Sequence, residues 1–478
     1  MQGRYRQPLP MSVLLIVSDV DGETPAGSRL IRSLHAQTDA GWTLERDGNE
    51  PLATIQVSAD STLRPDAVAA IRQTFVDDAA IQAVIGDAIV DGERRLRPAW
   101  SPTFISRHAH ELDLVAVRGA ASSGSMAARL DALAALDPTA VAHLPRPLLE
   151  RESAETVNDD ASRAAARLVT EPRREPAADA VSFLVPTAGT RHPDGSRLVE
   201  HAIRAARGSG VSTVEVVLIV GDEFDGDAAE LEADEVRVVR RPGPWNFSAA
   251  INTGLLAASH DTVVLLNDDI EMLTEGWLRP LIEHLRDRAV ALVGTALLYP
   301  DHSLQHIGVV IDDALPLHPH VGVEVERLPP RFRQAREVAA VTAACAVGRR
   351  SDLLAVGGLN EALPANFNDV DLCFKLQREV GRIIVDPTSP LLHRESASRV
   401  PVIESWEWEA FVGRWGEIVD PWYHPGHHRP DDPNDRRRNA DHLPPDDPHG
   451  TWPRRTPTIQ PSVHRARIAA PAADATAE

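Results

Sequence analysis

The sequence predicts an α/β protein whose larger domain is built on a mixed, mostly parallel sheet. Three observations lead to this prediction. Short apolar runs of strand length alternate with helix-length segments from residue 180 to residue 386. Several of these runs end abruptly in polar or acidic side chains, as buried strands do where ligands bind at the carboxyl edge of an open α/β sheet. A segment rich in Ala, Arg, Glu and Pro at 151–178 separates this part from an earlier one with a similar alternation.

The composition of the 478-residue chain excludes several classes of protein. A formal net charge of -21 argues against a general nucleic-acid binder, since phosphate backbones favour clustered Lys and Arg. The two cysteines, Cys345 and Cys373, are too few and too far apart in sequence for a disulfide framework or a CxxC site. The apolar run at 13–17 is too short for a signal peptide, and no run approaches the roughly 20 residues of a membrane span. We expect a cytoplasmic protein, and peripheral association with the inner face of the membrane stays open.

The pattern divides the chain into four parts. The first domain spans 11–150, a helical or flexible linker spans 151–178, and the second domain spans 179–425. The last part, 426–478, is dominated by Pro, Asp, Arg and His and is expected to be disordered.

The most informative stretch is an apolar run at 263–266 that stops at Asn267, Asp268 and Asp269. Two adjacent aspartates at the end of a buried strand repel each other unless a hard cation or a proton compensates them. One interpretation is a Mg²⁺ or Mn²⁺ site that holds a phosphate ester. The other is a polar turn whose aspartates cap the following element, because Asp residues are common in turns. These residues alone leave both open.

Two further positions have an ordinary structural explanation. Asn368 is a candidate helix N-cap, with Asp369 and Asp371 in the first turn, where the helix dipole favours negative charge. His393 follows an apolar run, where a histidine is more often structural than a ligand. The sequence has neither a P-loop nor a GxGxxG motif after the first strand of the second domain, so a diphosphate would be held by a metal instead of a backbone cradle.

Six blocks of the second domain resemble, in order, those of family 2 glycosyltransferases, in particular the bacterial rhamnosyl- and surface-polysaccharide type. The resemblance covers 180 to about 425, and its blocks are VPT (185–187), NFSAAIN (246–252), LLNDDI (265–270), QHIG (305–308), NDVDLC (368–373) and HRESASR (393–399). It implies the GT-A fold, a nucleotide-binding α/β sheet joined to an acceptor-binding half. It also implies transfer of a hexosyl or rhamnosyl group from a nucleoside-diphosphate sugar to a cell-surface glycan or lipid-linked acceptor, without a nucleic-acid partner.

The resemblance implies roles for individual residues. Asp269, His393 and Asn267 would bind a divalent Mg or Mn ion, with Asp269 as the best ligand and Asn267 as a neutral first position. Asp369 would be the catalytic base of an inverting reaction, and Asp371 is the reserve candidate. Seven residues would contact the nucleotide or its diphosphate: Pro186, Thr187, Asp222, Asn252, Asp268, Ser398 and Arg399.

The first domain resembles the same family in decayed form. The interval between 45 and 53 is too short for the usual middle strands of the nucleotide half, and no counterpart of the NDVDLC block is found. We therefore expect 11–150 to form a truncated, catalytically inactive GT-A-like domain.

Two other functions stay open at the level of sequence. One is a non-catalytic nucleotide-sugar-binding scaffold in a polysaccharide assembly complex, which Asn267 and the decayed first domain favour. The other is a metal-dependent nucleotidyltransferase, which usually needs a glycine-rich, basic loop after its first strand, where this chain has Pro186-Thr187-Ala188-Gly189.

Overall fold

The chain is described by a computed structural model and divides into two compact units. The first is Met1–Pro172 with Pro421–Pro457, and the second is Arg173–Asp420 with Thr458–Glu478. The structure describes residues 13–18, 25–39, 42–43, 51–58, 60–95, 97, 99–106, 108–109, 112–119, 125–137, 140–152, 159–170, 178–191, 195–224, 227–312, 315–394, 405–416, 420 and 422. The predicted tail at 426–478 lies outside these residues.

The first unit contains eight described strands and five described helices. The strands are β1 (Val13–Ser18), β2 (Trp42–Thr43), β3 (Ala53–Ser58), β4 (Thr62–Leu63), β5 (Ala83–Val90), β6 (Glu93–Arg95), β7 (Leu114–Arg118) and β8 (Val141–Arg151). The helices are α1 (Pro25–His35), α2 (Ala67–Asp77), α3 (Pro102–Ile105), α4 (Met126–Ala134) and α5 (Asp159–Thr170). The strands form one sheet in the order β2-β1-β3-β7-β5-β8-β4, with β6 paired to β5.

Helix α5 differs from the expected linker at 151–178. Ala161, Ala164 and Ala165 recur at helical spacing and are buried in an apolar cluster of the first unit that includes Leu130. The boundary between the units, after residue 172, falls within the expected segment. The helical alternative for this segment therefore agrees with the structure, and the small alanine side chains allow the helix to pack closely against its neighbours.

The second unit carries the longer set of elements. Its strands are β9 (Ala180–Thr187), β10 (Thr213–Val220), β11 (Val236–Arg240), β12 (Thr262–Leu266), β13 (Ile270–Met272), β14 (Val290–Leu298), β15 (Leu304–His306), β16 (Val310–Asp312), β17 (Leu315–Leu317), β18 (Arg336–Glu337), β19 (Cys345–Arg349) and β20 (Arg382–His393). Its helices are α6 (Val199–Arg207), α7 (Phe247–Ala257), α8 (Arg279–His284), α9 (Arg350–Ala355), α10 (Asn368–Glu379) and α11 (Ser405–Trp415), with short 3₁₀ helices at Ala228–Leu231, Val325–Arg327 and Pro330–Arg333.

The main sheet of the second unit is mixed, as predicted. Its order is β11-β10-β9-β12-β19-β14-β20-β13, with β15 paired to β14 and β18 paired to β20. The first four strands are parallel, and β19 runs antiparallel to both of its neighbours. All of β14 and the last four residues of β12 are buried, as expected for strands inside the sheet, whereas β11 at its edge is partly exposed.

The two sheets have the same pattern of strand pairing. In each, one strand (β1 or β9) lies parallel between two others, β2 and β3 in the first sheet and β10 and β12 in the second. Two antiparallel pairings and one parallel pairing follow, as β3-β7-β5-β8 and as β12-β19-β14-β20. A short strand, β4 or β13, then pairs antiparallel at the far edge. The second sheet has one further strand, β11, beyond β10.

The helices of the described residues are those given above for the two units. None of them combines the length and the apolar composition that crossing a bilayer requires.

Candidate active site

The acidic motif lies at the carboxyl edge of the parallel strands, where β12 ends. Asp268 is 9% exposed, and its Oδ2 accepts a 2.7 Å hydrogen bond from Oγ1 of Thr187 at the end of the neighbouring strand β9. Burial, with a smaller contribution from the charge of Asp269, raises the pKa of Asp268 to about 7, although the Thr187 hydrogen bond opposes this shift. The paired carboxyls therefore favour binding of a proton or a cation.

Asp269 and His393 are brought together by antiparallel pairing. The register of β13 and β20 sets Ile270 opposite His393, so the residue before β13 lies beside the histidine. Asp269 Oδ1 is 3.2 Å from His393 Nε2 and, within the described part of the chain, accepts no hydrogen bond. This separation is close to the roughly 3 Å expected between neighbouring ligands of an octahedral cation bound at about 2.1 Å.

The orientation of the His393 ring is fixed from behind by β15. His393 Nδ1 is 2.6 Å from Oε1 of Gln305, an atom that only accepts, so Nδ1 carries the proton and donates it. The Gln305 amide nitrogen faces the His393 carbonyl oxygen at 3.5 Å. This tautomer leaves the Nε2 lone pair directed away from Gln305, as a metal-binding histidine requires.

The residues present fit a divalent cation that also binds its substrate. Asn267 is the third polar side chain here, with its amide nitrogen 3.3 Å from His393 Nε2. Among the described residues, no group of three or more His, Cys, Asp or Glu side chains could hold a metal on its own. Mg²⁺ is commonly held by one or two carboxylates together with substrate phosphates and water, so a partial protein ligand set suits a metal that binds with a diphosphate.

Asp369 lies in the first turn of α10, but the predicted N-cap is wrong by one residue. The cap position is Phe367, in a left-handed conformation with φ 60°, and Asn368 is already helical. Asn368 instead donates a side-chain hydrogen bond to the Leu363 carbonyl oxygen. The half-buried Asp369 carboxylate accepts from the backbone N–H of Ala343 at 3.3 Å and from that of Val370 at 2.8 Å. Capping therefore does not explain why Asp369 is held against a loop outside its helix.

The loop that holds Asp369 also holds the acidic motif. Ala343 donates to Asp369, and the carbonyl oxygen of the next residue, Ala344, accepts a 2.9 Å hydrogen bond from the N–H of Asn267. Asn267 in turn contacts His393. Three positions far apart in sequence, at 269, 369 and 393, are thus linked through one short chain of contacts.

Asp371, the reserve candidate for the base, is enclosed by structural contacts. It is fully buried, and its Oδ1 accepts from Trp415 Nε1 at 2.9 Å and lies 3.0 Å from Arg414 Nε. Its Oδ2 lies 3.4 Å from Lys375 Nζ. A carboxylate paired in this way joins α10 to α11 and does not face a substrate, so the geometry argues against Asp371 as a base.

The remaining predicted residues are those expected to contact the nucleotide or its diphosphate. Pro186 and Thr187 lie buried at the end of β9 next to the acidic motif, and Asp222 lies exposed just beyond β10, where it accepts from the Gly243 N–H at 2.9 Å. The side-chain amide of Asn252 binds the backbone of the loop before α10. It donates to the Leu359 carbonyl oxygen and accepts from the Leu359 N–H.

Asn252 thus supports the loop around Leu359 and, in this structure, is not directed at a diphosphate. The last two predicted residues, Ser398 and Arg399, lie outside the described residues.

Comparison with known proteins identifies the family. Residues 195–354 match the family model for Glycosyl transferase family 2. The chain is 32% identical over 230 residues to the uncharacterized protein y4gI of Sinorhizobium fredii, covering 46% of this chain and 25% of that protein. It is 30% identical over 191 residues to the O-antigen biosynthesis protein RfbC of Myxococcus xanthus, covering 38% of this chain and 15% of that protein. The chain thus spans a quarter or less of these relatives.

Among solved structures, a crystal structure of GalNAc-T7 with UDP, GalNAc and Mn²⁺ is 14% identical, covers 50% of this chain and 48% of that chain, and has a TM-score of 0.36. The family match lies within the second unit and includes Asp268 and Asp269, and the mixed α/β sheet agrees with it. The second unit is therefore a family 2 glycosyltransferase domain with the predicted GT-A fold.

Proposed function

We propose that the second unit is a metal-dependent, inverting glycosyltransferase. It would move a hexosyl or rhamnosyl group from a nucleoside-diphosphate sugar to a cell-surface glycan or a lipid-linked acceptor. The observation that carries the proposal is the set of contacts linking Asp269, His393 and Asp369 at one edge of the sheet. The name of the RfbC relative, an O-antigen biosynthesis protein, supports the class of acceptor.

Asp369 is the proposed base. It would accept the proton of an acceptor hydroxyl as that oxygen forms a bond to the anomeric carbon and the bond to the diphosphate oxygen breaks. Its carboxylate is half-buried and fixed by the Ala343 N–H, so it is oriented but still accessible. Attack from the face opposite the departing diphosphate inverts the anomeric configuration.

Asp269 and His393, with Asn267 beside them, are the proposed ligands of a Mg or Mn ion. When bound, the cation would supply Lewis-acid stabilisation of the charge on the departing diphosphate. Thr187 and Asp268 lie at the adjacent strand end and are proposed, with Asp222, to contact the nucleotide. We place this reaction in the cytoplasm, at the inner face of the membrane when the acceptor is lipid-linked.

We also propose that the first unit is an inactive GT-A-like domain. Its β4 pairs with β8 so that Thr62 lies opposite Glu150, as Ile270 lies opposite His393. Ser61 and Glu150 thus take the positions of the two proposed metal ligands. The first turn of α4, the helix before β8, has no acidic residue, whereas α10 has Asp369 and Asp371.

Hydrolysis and transfer assays on the full chain test the proposal. A panel of nucleoside-diphosphate sugars, with and without Mn²⁺, is first screened for thermal stabilisation, since a ligand that binds only the folded state raises the melting temperature. Replacing Asp369 with Asn should lower turnover by about 10²–10⁴-fold and leave donor binding intact. If the wild-type protein binds a donor but neither hydrolyses nor transfers it, the proposed enzymatic function is contradicted. That result would support the scaffold alternative, which the neutral Asn267 favours.

A further inference from the structure

The short strand β15 contacts both halves of the proposed active site through two consecutive side chains. Gln305 and His306 are buried, and neighbouring residues of a strand point to opposite faces. Gln305 Oε1 accepts the proton of His393 Nδ1 at 2.6 Å. The first residue of the pair therefore acts on the proposed metal ligand.

His306 acts on the loop that holds Asp369. Its Nε2 accepts from the backbone N–H of Gly308 at 3.2 Å and lies 3.5 Å from that of Thr342. Thr342 directly precedes Ala343, whose N–H binds the Asp369 carboxylate. Because Nε2 is an acceptor, Nδ1 carries the proton and donates to Nδ1 of His318 at 2.9 Å.

The His306 ring is neutral. Burial, reinforced by the nearby His318, Arg336 and His393, holds the pKa of His306 well below its usual value. In a neutral ring Nε2 remains an acceptor for the backbone N–H groups of the loop while Nδ1 faces His318. Both ring nitrogens therefore fix the orientation of the His306 ring.

We propose that Gln305 and His306 are positioning residues for the two halves of the reaction, Gln305 through the metal ligand His393 and His306 through the loop at 342–343 and Asp369. The proposal rests on the function proposed above. It assigns separable effects to two adjacent side chains, because their hydrogen bonds lead to different targets. Outer partners of metal ligands typically contribute about 10–100-fold in metal affinity.

The Gln305 half is tested by Mn²⁺ binding to the full chain, measured by calorimetry and by the electron paramagnetic resonance signal of free Mn²⁺. Gln305→Met keeps the length of the side chain but removes the acceptor, and should weaken Mn²⁺ binding by about 10–100-fold. Gln305→Glu keeps an acceptor oxygen and should restore binding to within a few-fold of wild type. If the Gln305→Met and Gln305→Glu variants both fold and both bind Mn²⁺ with wild-type affinity, the proposed role of Gln305 is overturned.

The His306 half is tested by turnover, with donor hydrolysis as the readout. His306→Gln, whose Oε1 can replace the Nε2 acceptor, should retain most of the kcat, whereas His306→Leu should lower kcat at least about tenfold while Mn²⁺ affinity stays within about twofold. In an Asp369→Asn background, His306→Leu should cause no further loss, since residues acting through one group are not additive. Additive losses, or a matching loss of Mn²⁺ affinity, would overturn this half.

The controls separate this proposal from the function beneath it. Wild-type protein that neither binds Mn²⁺ nor hydrolyses any donor contradicts the proposed function, and the positioning roles fail with it. Wild-type protein that does both, with variants that behave identically to it, contradicts only the positioning roles. Far-ultraviolet circular dichroism and the melting temperature identify a variant that fails to fold. In that case the Mn²⁺ affinity of Gln305→Glu and the kcat of His306→Gln, the two conservative variants, decide between these outcomes.

Discussion

The two sheets of this chain pair their strands in the same pattern but differ in the residues at the strand ends. In the second unit, the carboxyl edge carries Asp269 and His393, 3.2 Å apart. At the matching positions the first unit has Ser61 and Glu150. A pattern of strand pairing is maintained by many apolar residues, whereas the chemistry of a site depends on a few polar ones, so the first can be preserved when the second is lost.

The first unit has a buried network of charges next to the ends of β7 and β8. Asp113, directly before β7, lies 2.9 Å from Arg97 and 3.0 Å from Arg151 at the end of β8, and all three side chains are almost fully buried. His143 Nε2 lies 2.9 Å from Asp87 Oδ1 within the same sheet. These charges are compensated by one another, because each carboxylate has an arginine or a histidine beside it.

The largest expected effect compares the two acidic strand ends directly. Replacing Asp269 with Asn should lower donor hydrolysis by more than about 100-fold, because it removes a proposed metal ligand and outer partners alone contribute about 10–100-fold. The control in the first unit is Asp60→Asn, which replaces the acidic residue between β3 and β4, next to Ser61, and should leave hydrolysis within about twofold of wild type. Steady-state kinetics at saturating Mn²⁺ check both, and an equal loss in the two variants would assign chemistry to the first unit.

The second prediction concerns the buried network of the first unit. Arg97→Met leaves Asp113 and Asp87 without one partner and should lower the stability of this unit by about 3–5 kcal/mol. The exposed pair Arg163–Asp160 provides the control, since Arg163→Met should cost less than about 1 kcal/mol.

Hydrogen exchange of peptides from β5 and β7 measures this loss, with peptides from β12 as the reference for the second unit. Equal protection in both variants would show that the network contributes nothing.

A smaller effect is expected from a buried Asp–His pair of the second unit. Burial opposes ionisation of Asp386, but hydrogen bonds from His284 and Thr388 lower its pKa to about 2. A depressed folded-state pKa stabilises the fold above the unfolded value near 3.8, and this contribution is lost as the pH falls from there towards 2. Asp386→Asn should cost about 2 kcal/mol at pH 7 and progressively less below pH 4. Urea unfolding at pH 7 and at pH 3 checks this, and a constant difference would contradict it.

The smallest expected effect is an absence of reaction in the native protein. Cys345 and Cys373 both belong to the second unit and are fully buried, and burial raises the pKa of each thiol. Because the chain has no other cysteine, thiol labelling reports the unfolding of the second unit alone. Labelling in increasing denaturant should follow loss of structure in β19 and α10. Rapid labelling without denaturant would contradict the buried environment.

The sequence was sufficient to predict where two buried strands of the second unit end in polar side chains. One apolar run stops at Asn267 and another ends at His393. Each marks the carboxyl end of a strand, because an unbroken apolar run of this length is typical of a buried strand. The start of α10 agrees with the predicted helix start to within one residue. The six ordered blocks supplied the family, which the family model confirms.

The sequence was not sufficient to predict the contacts that support the site. Gln305 was visible within a block, but its role depends on antiparallel pairing that brings β20 close to β15, and this has no local signal. The loop at 342–344 acts through backbone groups, which are the same for any residue type. The cap at Phe367 was missed because a left-handed aromatic residue contradicts capping statistics. The packing of α5 was missed because alanine composition alone does not distinguish a packed helix from a helical linker.

The backbone conformation of Phe367 has a consequence for how the second unit would tolerate substitution. A non-glycine residue with φ 60° costs on the order of 1 kcal/mol, and its ring is fixed by stacking on Phe411 and by Trp408. Glycine would relieve that cost but would also free the residue that precedes Asn368 and Asp369. Phe367→Gly would also remove the ring contacts with Phe411 and Trp408, so we expect selection for thermostability and selection for turnover both to retain the aromatic ring.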